Sequence, residues 1–123
     1  MDRTHIKLLI AGGRDFDNYK ILQQIGNILL EKCTISEVVS GTARGADKLG
    51  ERWANENNIL VKQFPADWSL GKQAGYLRNE TMGKYCDCAL IFWDGQSRGT
   101  KHMIDILKRL GKKYYLVYYQ IKD

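Results

Sequence analysis

Glycine and arginine recur together at three places where an apolar run gives way to a polar one. These places are Gly12-Gly13-Arg14, the stretch Gly41 to Gly45 around Arg44, and Ser97-Arg98-Gly99-Thr100. Glycine lets a backbone approach a ligand closely, and a guanidinium presents a fixed fork of donors that suits phosphate or carboxylate. A single turn of this kind is equally well explained as a tight connection between a strand and a helix. Three of them together favour a pocket for an anion.

A fourth polar group falls in Pro65 to Met82, where one helical face is small and polar and consists of Gly75, Arg78, Asn79 and Met82. Two interpretations remain open for this face. Either it crosses the pocket with Arg78 and Asn79 pointing inward, or it faces water while the other side packs inward through Ala74, Leu77 and Tyr85. Trp68, just before the helix, either stacks on a base or covers the core.

Acid–base chemistry has weak candidates only, the aspartates Asp15, Asp67 and Asp94. Each can contact a ribose hydroxyl, position a water or act as a base at the same edge as the glycine turns. Asp47 shares this position, but it is equally suited to capping a helix, and Asp94 to closing an Asp-Gly turn. His5 and His102 have no obvious partner, and we assign them structural or solvated roles. No serine-hydrolase order, P-loop or HExxH motif occurs in the sequence.

The three cysteines indicate neither a disulfide framework nor a metal site. Their odd number fits reduced thiols, and the Cys86-Asp87-Cys88 spacing is wrong for a zinc knuckle. If both lay in a strand, Cys86 and Cys88 would share one face beside apolar neighbours. We therefore expect small buried side chains, no metal and no cofactor other than the ligand itself.

The elements that must position these residues alternate between strand-like and helix-like patterns. Strands are predicted at His5 to Ala11, Glu37 to Ser40, Ile59 to Phe64, Asp87 to Trp93 and Tyr114 to Tyr119. Helices are predicted at Tyr19 to Cys33 with its apolar face at Ile21, Ile25 and Ile28, from Ala46 to about Asn57, at Gly71 to Lys84 and at Thr100 to Leu110. The alternation predicts an α/β fold, a Rossmann-like three-layer sandwich with a five-stranded parallel sheet of order 3-2-1-4-5, as one domain over residues 1–123.

Ligands of such sheets bind at the carboxyl ends of the strands, where the strand order reverses. For the order 3-2-1-4-5 this point lies after the first and fourth strands. The glycine turns follow the first, second and fourth strands, so the topology itself brings them to one edge.

The net charge and the hydropathy pattern indicate which kinds of partner and which location to expect. Lys and Arg number 19 against 14 Asp and Glu, a net charge of +5 that favours an anionic partner without requiring one. The apolar run at Ile6 to Ala11 is too short for a signal peptide or a membrane span, so we expect a cytoplasmic protein with no membrane association. The apolar strand Tyr114 to Tyr119 at the sheet edge favours a homo-oligomer, because such an edge is usually covered.

Four blocks in order resemble one family. IAGGRDF, VSGTARGAD, FPADW followed by GKQAGYLRNETM, and FWDGQSRGTKHMI are similar to the blocks of the YspA/YpsA-related branch of the SLOG superfamily (DUF2493). The resemblance implies a Rossmann-like nucleotide-binding domain related to LOG phosphoribohydrolases, to the DNA-processing protein DprA and to SLOG sensors of NAD-derived signals. By matching position it implies a ligand site made of Gly12, Gly13, Arg14, Ser40, Gly41, Arg44, Gly45, Asp47, Arg78, Asn79, Asp94, Ser97, Gly99 and Thr100. We add Arg98, because it lies in a glycine turn, and Trp68, because it can stack on a base.

One position departs from the LOG enzymes. Their PGGxGTxxE stretch ends in a catalytic glutamate, and the matching stretch here, Asp94 to Met103, ends in a methionine. A thioether is neither an acid nor a base and carries no charge to stabilise a cationic centre. The resemblance therefore favours a protein that binds its ligand over one that performs the LOG reaction.

Three functions remain open at this point. The first is a module that senses or sequesters a nucleotide-derived molecule of the ADP-ribose or NAD-derived type. The second is a hydrolase of N-glycosidic or phosphate bonds that uses Asp15, Asp67 or Asp94. The third, which we rank last, is single-strand nucleic-acid binding, because no exposed row of aromatic side chains is evident beside the positive charge.

Overall fold

The strands of the sheet all run in the same direction. The structure, a computed structural model, describes residues 5–120. Its strands are β1 (His5–Gly12), β2 (Thr34–Ser40), β3 (Leu60–Gln63), β4 (Cys88–Trp93) and β5 (Lys113–Tyr118). They pair in parallel in the order β3-β2-β1-β4-β5. The predicted α/β fold and strand order are confirmed, and the order reverses between β1 and β4.

Four helices and one short turn of 3-10 helix connect the strands. The α-helices are α1 (Tyr19–Lys32), α2 (Ala46–Glu56), α3 (Ala74–Tyr85) and α4 (Arg98–Arg109), and the 3-10 helix spans Trp68–Leu70. The third helix is predicted to begin at Gly71 but begins at Ala74. The chain makes the 3-10 turn first and then passes through Gly71 at φ 87°, which is outside the helical region. Within residues 5–120, no helix is long and apolar enough to cross a membrane.

Two apolar layers lie on the two faces of the sheet. Leu8 and Ile10 of β1 pack with Trp53 of α2, whereas Leu9 packs on the other face with Met103 of α4. Successive side chains of a strand point to opposite faces, so a strand covered on both sides must be apolar throughout. This explains why β4 is the continuous apolar run CALIFW.

The predicted apolar face of α1 is wrong at Ile21 and Ile28, whereas Ile25 is partly buried against the core. Ile21 and Ile28 are 37% and 50% exposed, and the buried residues are Leu22, Gly26 and Leu29. The centre of this contact is a glycine, since a Cβ on Gly26 would lie 2.6 Å from the Trp53 ring. Because the Trp53 ring packs closely against the backbone at Gly26, the buried face of α1 is rotated away from Ile21 and Ile28. The spacing of apolar residues alone cannot predict this, since the central residue of the buried face is a glycine.

The two neighbouring cysteines are buried, as predicted, but they do not share a face. Cys86 ends α3 and packs in the layer under α3 and α4, whereas Cys88 lies in β4 and packs on the other side of the sheet. Burial raises the pKa of each thiol to about 11, so both stay protonated. Within the described part of the chain, no group of three or more potential metal ligands is present.

Candidate functional site

A cavity of about 650 Å³ opens at the carboxyl edge of the sheet, beside the ends of β1 and β4. This is the point where the strand order reverses, and the volume is typical of small-molecule sites. The three glycine turns, α3 and the start of α4 all contribute to it. Its lining comprises Ala11, Gly12, Gly13, Arg14, Asp15, Ala43, Arg44, Asp47, Arg78, Asn79, Met82, Asp94, Ser97, Gly99, Thr100 and Met103.

Glycines bring the turns this close together. A Cβ on Gly12 would lie 2.2 Å from the carbonyl oxygen of Phe92, and one on Gly45 would lie 2.3 Å from that of Gly13. The backbone N–H of Gly13 donates to the Phe92 carbonyl at 3.1 Å, and that of Ala46 donates to the Gly13 carbonyl at 3.2 Å. Gly12 and Gly45 therefore allow the ends of β1 and β4 and the start of α2 to meet at the floor of the cavity.

Most of the sequence-predicted residues come together here, and some do not. Gly41 and Trp68 line smaller pockets beside the cavity, which also border Arg14 and Arg78. Outside these linings lie Ser40, Gly45, Asp67 and Arg98. The Ser40 hydroxyl is buried and donates to Glu51 at 2.6 Å, Asp67 accepts from the backbone N–H of Ser69 in the 3-10 turn, and Arg98 is exposed.

Helix α3 turns its polar face to the cavity, which is the first of the two interpretations of its sequence. Arg78 donates to the carbonyl oxygen of Gly41 at 2.5 Å and to Asn79 Oδ1 at 3.1 Å. Asn79 in turn donates to the carbonyl oxygen of Gly99 at 3.4 Å. Of the residues expected to pack inward in the other interpretation, Leu77 is 52% exposed, whereas Ala74 is buried and Tyr85 packs against the core. The polar face of α3 thus connects the turn after β2 to the start of α4.

Asp47 is the most deeply buried acid in the lining, at 5% exposure. It lies in the first turn of α2, where Oδ2 accepts the backbone N–H of Ala43 at 3.2 Å. Burial raises the pKa of Asp47 to about 6, against the opposing influence of the Ala43 hydrogen bond and the nearby Arg78 cation. The sequence places Asp47 either in the ligand site or at the cap of a helix, and its burial follows only from the packing of α2 under the turn.

The other two acids in the lining are held by hydrogen bonds within the protein. Asp94 Oδ1 accepts the backbone N–H groups of Gln96 at 2.9 Å and Ser97 at 2.8 Å, which lowers the pKa of Asp94. Asp15 Oδ1 accepts the Tyr119 hydroxyl at 2.5 Å. Tyr119 was missed by the sequence analysis, because no local pattern relates residues that are 104 positions apart.

His102 has a partner that the sequence did not reveal. Its Nδ1 lies 3.3 Å from Asn79 Nδ2, and its ring contacts that of Tyr76 edge-on with 4.4 Å between centroids. Burial lowers the pKa of His102, which favours the neutral ring. A neutral Nδ1 can accept from Asn79, so the histidine supports the orientation of the amide.

The acidic and basic side chains that line the cavity differ in their hydrogen bonding. Asp15, Asp47 and Asp94 each accept hydrogen bonds from the protein, as described above. The side chains of Arg14 and Arg44, in contrast, form no hydrogen bond or ion pair with any of residues 5–120. The charge of Arg14 also contributes, after burial, to a lowered pKa of Arg78. Cations held close together with open donors favour an anion between them.

The start of α4 adds backbone donors. Ser97 caps the helix, with its Oγ accepting the N–H of Thr100 at 3.4 Å and lying 3.0 Å from the Thr100 hydroxyl. The remaining N–H groups of a first helical turn have no carbonyl partner within the helix and carry a partial positive charge. Met103 lies one turn further on, 2% exposed, and borders the cavity.

Comparisons with known proteins bear on the first half of this site. The sequence profile of the YspA, cpYpsA-related SLOG family (YAcAr) matches residues 6–71. The "Gene 61 protein" of Mycobacterium phage D29 is 40% identical over 81 residues, which cover 60% of this chain and 65% of that protein. The chain thus spans slightly less than two thirds of that relative's length. The profile match includes Arg14, Arg44 and Asp47, and it ends before α3 begins.

Proposed function

Because this chain belongs to the YspA, cpYpsA-related SLOG family, we propose that it binds a nucleotide-derived molecule in the cavity at the carboxyl edge of its sheet. Family membership suggests a nucleotide-related role. The ligand of the proposal is of the ADP-ribose or NAD-derived type, and the protein senses or sequesters it. No cofactor enters this proposal.

The observation that carries the proposal is a pair of guanidinium groups, those of Arg14 and Arg44, which have no hydrogen-bond or ion-pair partner within residues 5–120. They lie at the rim of the cavity, with the half-buried Arg78 beside them. A phosphate or pyrophosphate group between these cations would accept charge-assisted hydrogen bonds, which are stronger than neutral ones. It would also accept hydrogen bonds from the backbone N–H groups in the first turn of α4. Asp94 is charged and lies at the rim. Its carboxylate can accept a hydrogen bond that a ribose hydroxyl donates.

The test is a thermal-shift panel with AMP, ADP-ribose, NAD and ribose 5-phosphate, each measured beside a neutral sugar. A ligand at 100 times its dissociation constant adds about 2.7 kcal/mol to the free energy of unfolding. We expect at least one phosphorylated nucleoside to raise the melting temperature and the neutral sugar to leave it unchanged. A panel in which no phosphorylated compound raises the melting temperature contradicts the proposal.

A second candidate function, hydrolysis of an N-glycosidic or phosphate bond in the same ligand, is favoured by one observation. Asp47 borders the cavity with its pKa raised to about 6, which allows it to be protonated or ionised near neutral pH. Asp15 and Asp94 also border the cavity, whereas Asp67 lies outside its lining. Met103 supplies no acid, base or charge at the position of the LOG glutamate.

Chromatography of the ligand after incubation separates the two candidates. A binder returns ADP-ribose intact after long incubation with stoichiometric protein. A hydrolase releases product, and Asp47→Asn then stops turnover while the protein stays folded and still binds ADP-ribose. Release of product at the same rate by Asp47→Asn removes Asp47 from the reaction and leaves Asp15 and Asp94 as the acids to test.

A further inference from the structure

Two smaller pockets, of about 220 and 210 Å³, adjoin the main cavity. Both are bordered by Arg14 and Arg78, which also line the main cavity, so the three spaces meet at these guanidinium groups. Both are also bordered by Trp68. The indole therefore borders the same two pockets as the cations Arg14 and Arg78.

The backbone of Trp68 is fixed by a 3-10 turn, and the residue is 56% exposed. It begins the 3-10 turn, in which its carbonyl oxygen accepts the N–H of Gly71 at 3.1 Å and the preceding Asp67 accepts the N–H of Ser69 at 3.2 Å. Trp53 is fully buried in the core, and Trp93 donates its indole N–H to the Ser97 carbonyl at 3.0 Å. Among the three tryptophans, Trp68 alone presents an exposed ring to a pocket.

Gly75 lines the same pocket as Trp68 and Tyr76. Its place in the first turn of α3 does not require glycine, because its φ lies outside the positive range and helices disfavour the residue. A Cβ there would lie 3.5 Å from the Trp68 ring, an ordinary contact. The protein itself thus has room for a Cβ at this position, and the glycine leaves that space open beside the Trp68 ring.

We propose that the pocket bordered by Trp68, Gly75 and Tyr76 is a nucleobase subsite, in which the base of the ligand stacks on the Trp68 indole while its phosphates lie against Arg14 and Arg78. The inference rests on the proposed function and adds to it the place where the base of the ligand is held, which a sugar phosphate without a base leaves empty. Every base has a π-face that can stack on an aromatic side chain. Lys72 lines the same pocket and adds a positive charge to it.

The experiment compares the dissociation constants of ADP-ribose and ribose 5-phosphate for the wild type, Trp68→Ala, Trp68→Phe and Gly75→Leu. Leu77→Ala is the matched control, because Leu77 is a similarly exposed apolar residue of α3 that lines none of the three pockets. Melting temperatures are measured for all variants, so that a loss of binding can be separated from a loss of folding.

We expect Trp68→Ala and Gly75→Leu to weaken ADP-ribose binding by about 10- to 100-fold, the range of base–aromatic stacking. The affinity for ribose 5-phosphate in every variant, and the affinity of Leu77→Ala for ADP-ribose, should each stay within about threefold of the wild type. Trp68→Phe keeps an aromatic face and should therefore weaken ADP-ribose binding less than Trp68→Ala does. ADP-ribose should also quench wild-type tryptophan fluorescence, and this quenching should disappear in Trp68→Phe.

Equal ADP-ribose affinity in the wild type, Trp68→Ala and Gly75→Leu overturns the subsite and leaves the proposed function standing. Failure of the wild type to bind either compound overturns both. A loss of ribose 5-phosphate binding equal to that of ADP-ribose in folded Trp68→Ala also overturns the subsite, because it assigns the tryptophan to the phosphate end.

Discussion

Arg78 Nη1 and Asp47 Oδ2 converge on the backbone of Gly41, where a Cβ atom would lie 2.8 Å from each. The glycine thus leaves room for a cation and a buried carboxyl at the wall of the cavity. The charge of Arg78 lowers the pKa of Asp47, while burial raises it by more. Arg78 also anchors the turn after β2 through the Gly41 carbonyl. A substitution at Arg78 or Asp47 should therefore change both the stability of the fold and the charge at the cavity wall.

Coupling between the two residues predicts non-additive stability. Arg78→Ala should lower the free energy of unfolding by roughly 1 to 3 kcal/mol, because it removes a hydrogen bond and the cation beside a buried carboxyl. In the Asp47→Asn background the same change should cost less, with a coupling of roughly 0.5 to 3 kcal/mol. Urea unfolding of the four proteins of the cycle measures it. Additive effects would show that the two side chains do not interact.

The raised pKa of Asp47 predicts that the fold loses stability as the pH rises. A carboxyl with a higher pKa when folded binds its proton more readily in the folded state, so its stabilising effect is complete below its usual 3.8 and is lost as the pH approaches about 6. One pKa unit corresponds to about 1.4 kcal/mol, and part of the effect is already lost at pH 4, so we expect a decrease of roughly 2 kcal/mol relative to Asp47→Asn between about pH 4 and pH 7.

Unfolding curves at the two pH values measure this difference, and the comparison with Asp47→Asn cancels the other titrating groups. Asp105→Asn is the matched control, since Asp105 is 53% exposed in a surface pair with Lys101 and should follow the wild type. Identical pH dependence in the wild type and Asp47→Asn would contradict the burial of Asp47 as a titrating group.

Two helical glycines predict opposite effects of the same substitution. Gly26→Ala places a Cβ 2.6 Å from the Trp53 ring, and the overpacking cost of about 1 to 3 kcal/mol should exceed the gain in helix propensity. Gly75→Ala makes only ordinary contacts and should be neutral or slightly stabilising. Thermal unfolding of both variants tests the packing of α1 on α2. A Gly26→Ala variant as stable as the wild type would show that this packing is looser than described.

Much of the fold could be predicted because its signals are local. Alternating strand and helix patterns and the glycine turns predicted the strand order, and with it the edge where Gly13, Arg14, Arg44 and Thr100 meet. Parallel topology converts chain order into spatial order, so the convergence of distant turns needed no knowledge of side-chain packing. The homo-oligomer predicted from the β5 edge stays a prediction.

The rest depended on contacts that no local pattern encodes. The buried face of α1 is centred on Gly26 because Trp53 of another helix packs there, and apolar periodicity selected the isoleucines instead. Asp67 falls near the right edge in sequence, yet the 3-10 turn uses it as a cap. The hydrogen bond between Tyr119 and Asp15 and the burial of Asp47 arise only when β5 and α2 are in place.

The most direct test of the account is titration calorimetry of ADP-ribose with the wild type and with an Arg14→Ala/Arg44→Ala double variant. Neither arginine has a hydrogen-bond or ion-pair partner within residues 5–120, so the double variant should keep the wild-type melting temperature. Arg98→Ala, which alters an exposed arginine outside the lining, is the control. We predict one-to-one binding by the wild type and Arg98→Ala, and at least about 100-fold weaker binding by the double variant. Equal affinity in all three proteins would contradict the assignment of the arginine-lined cavity as the ligand site.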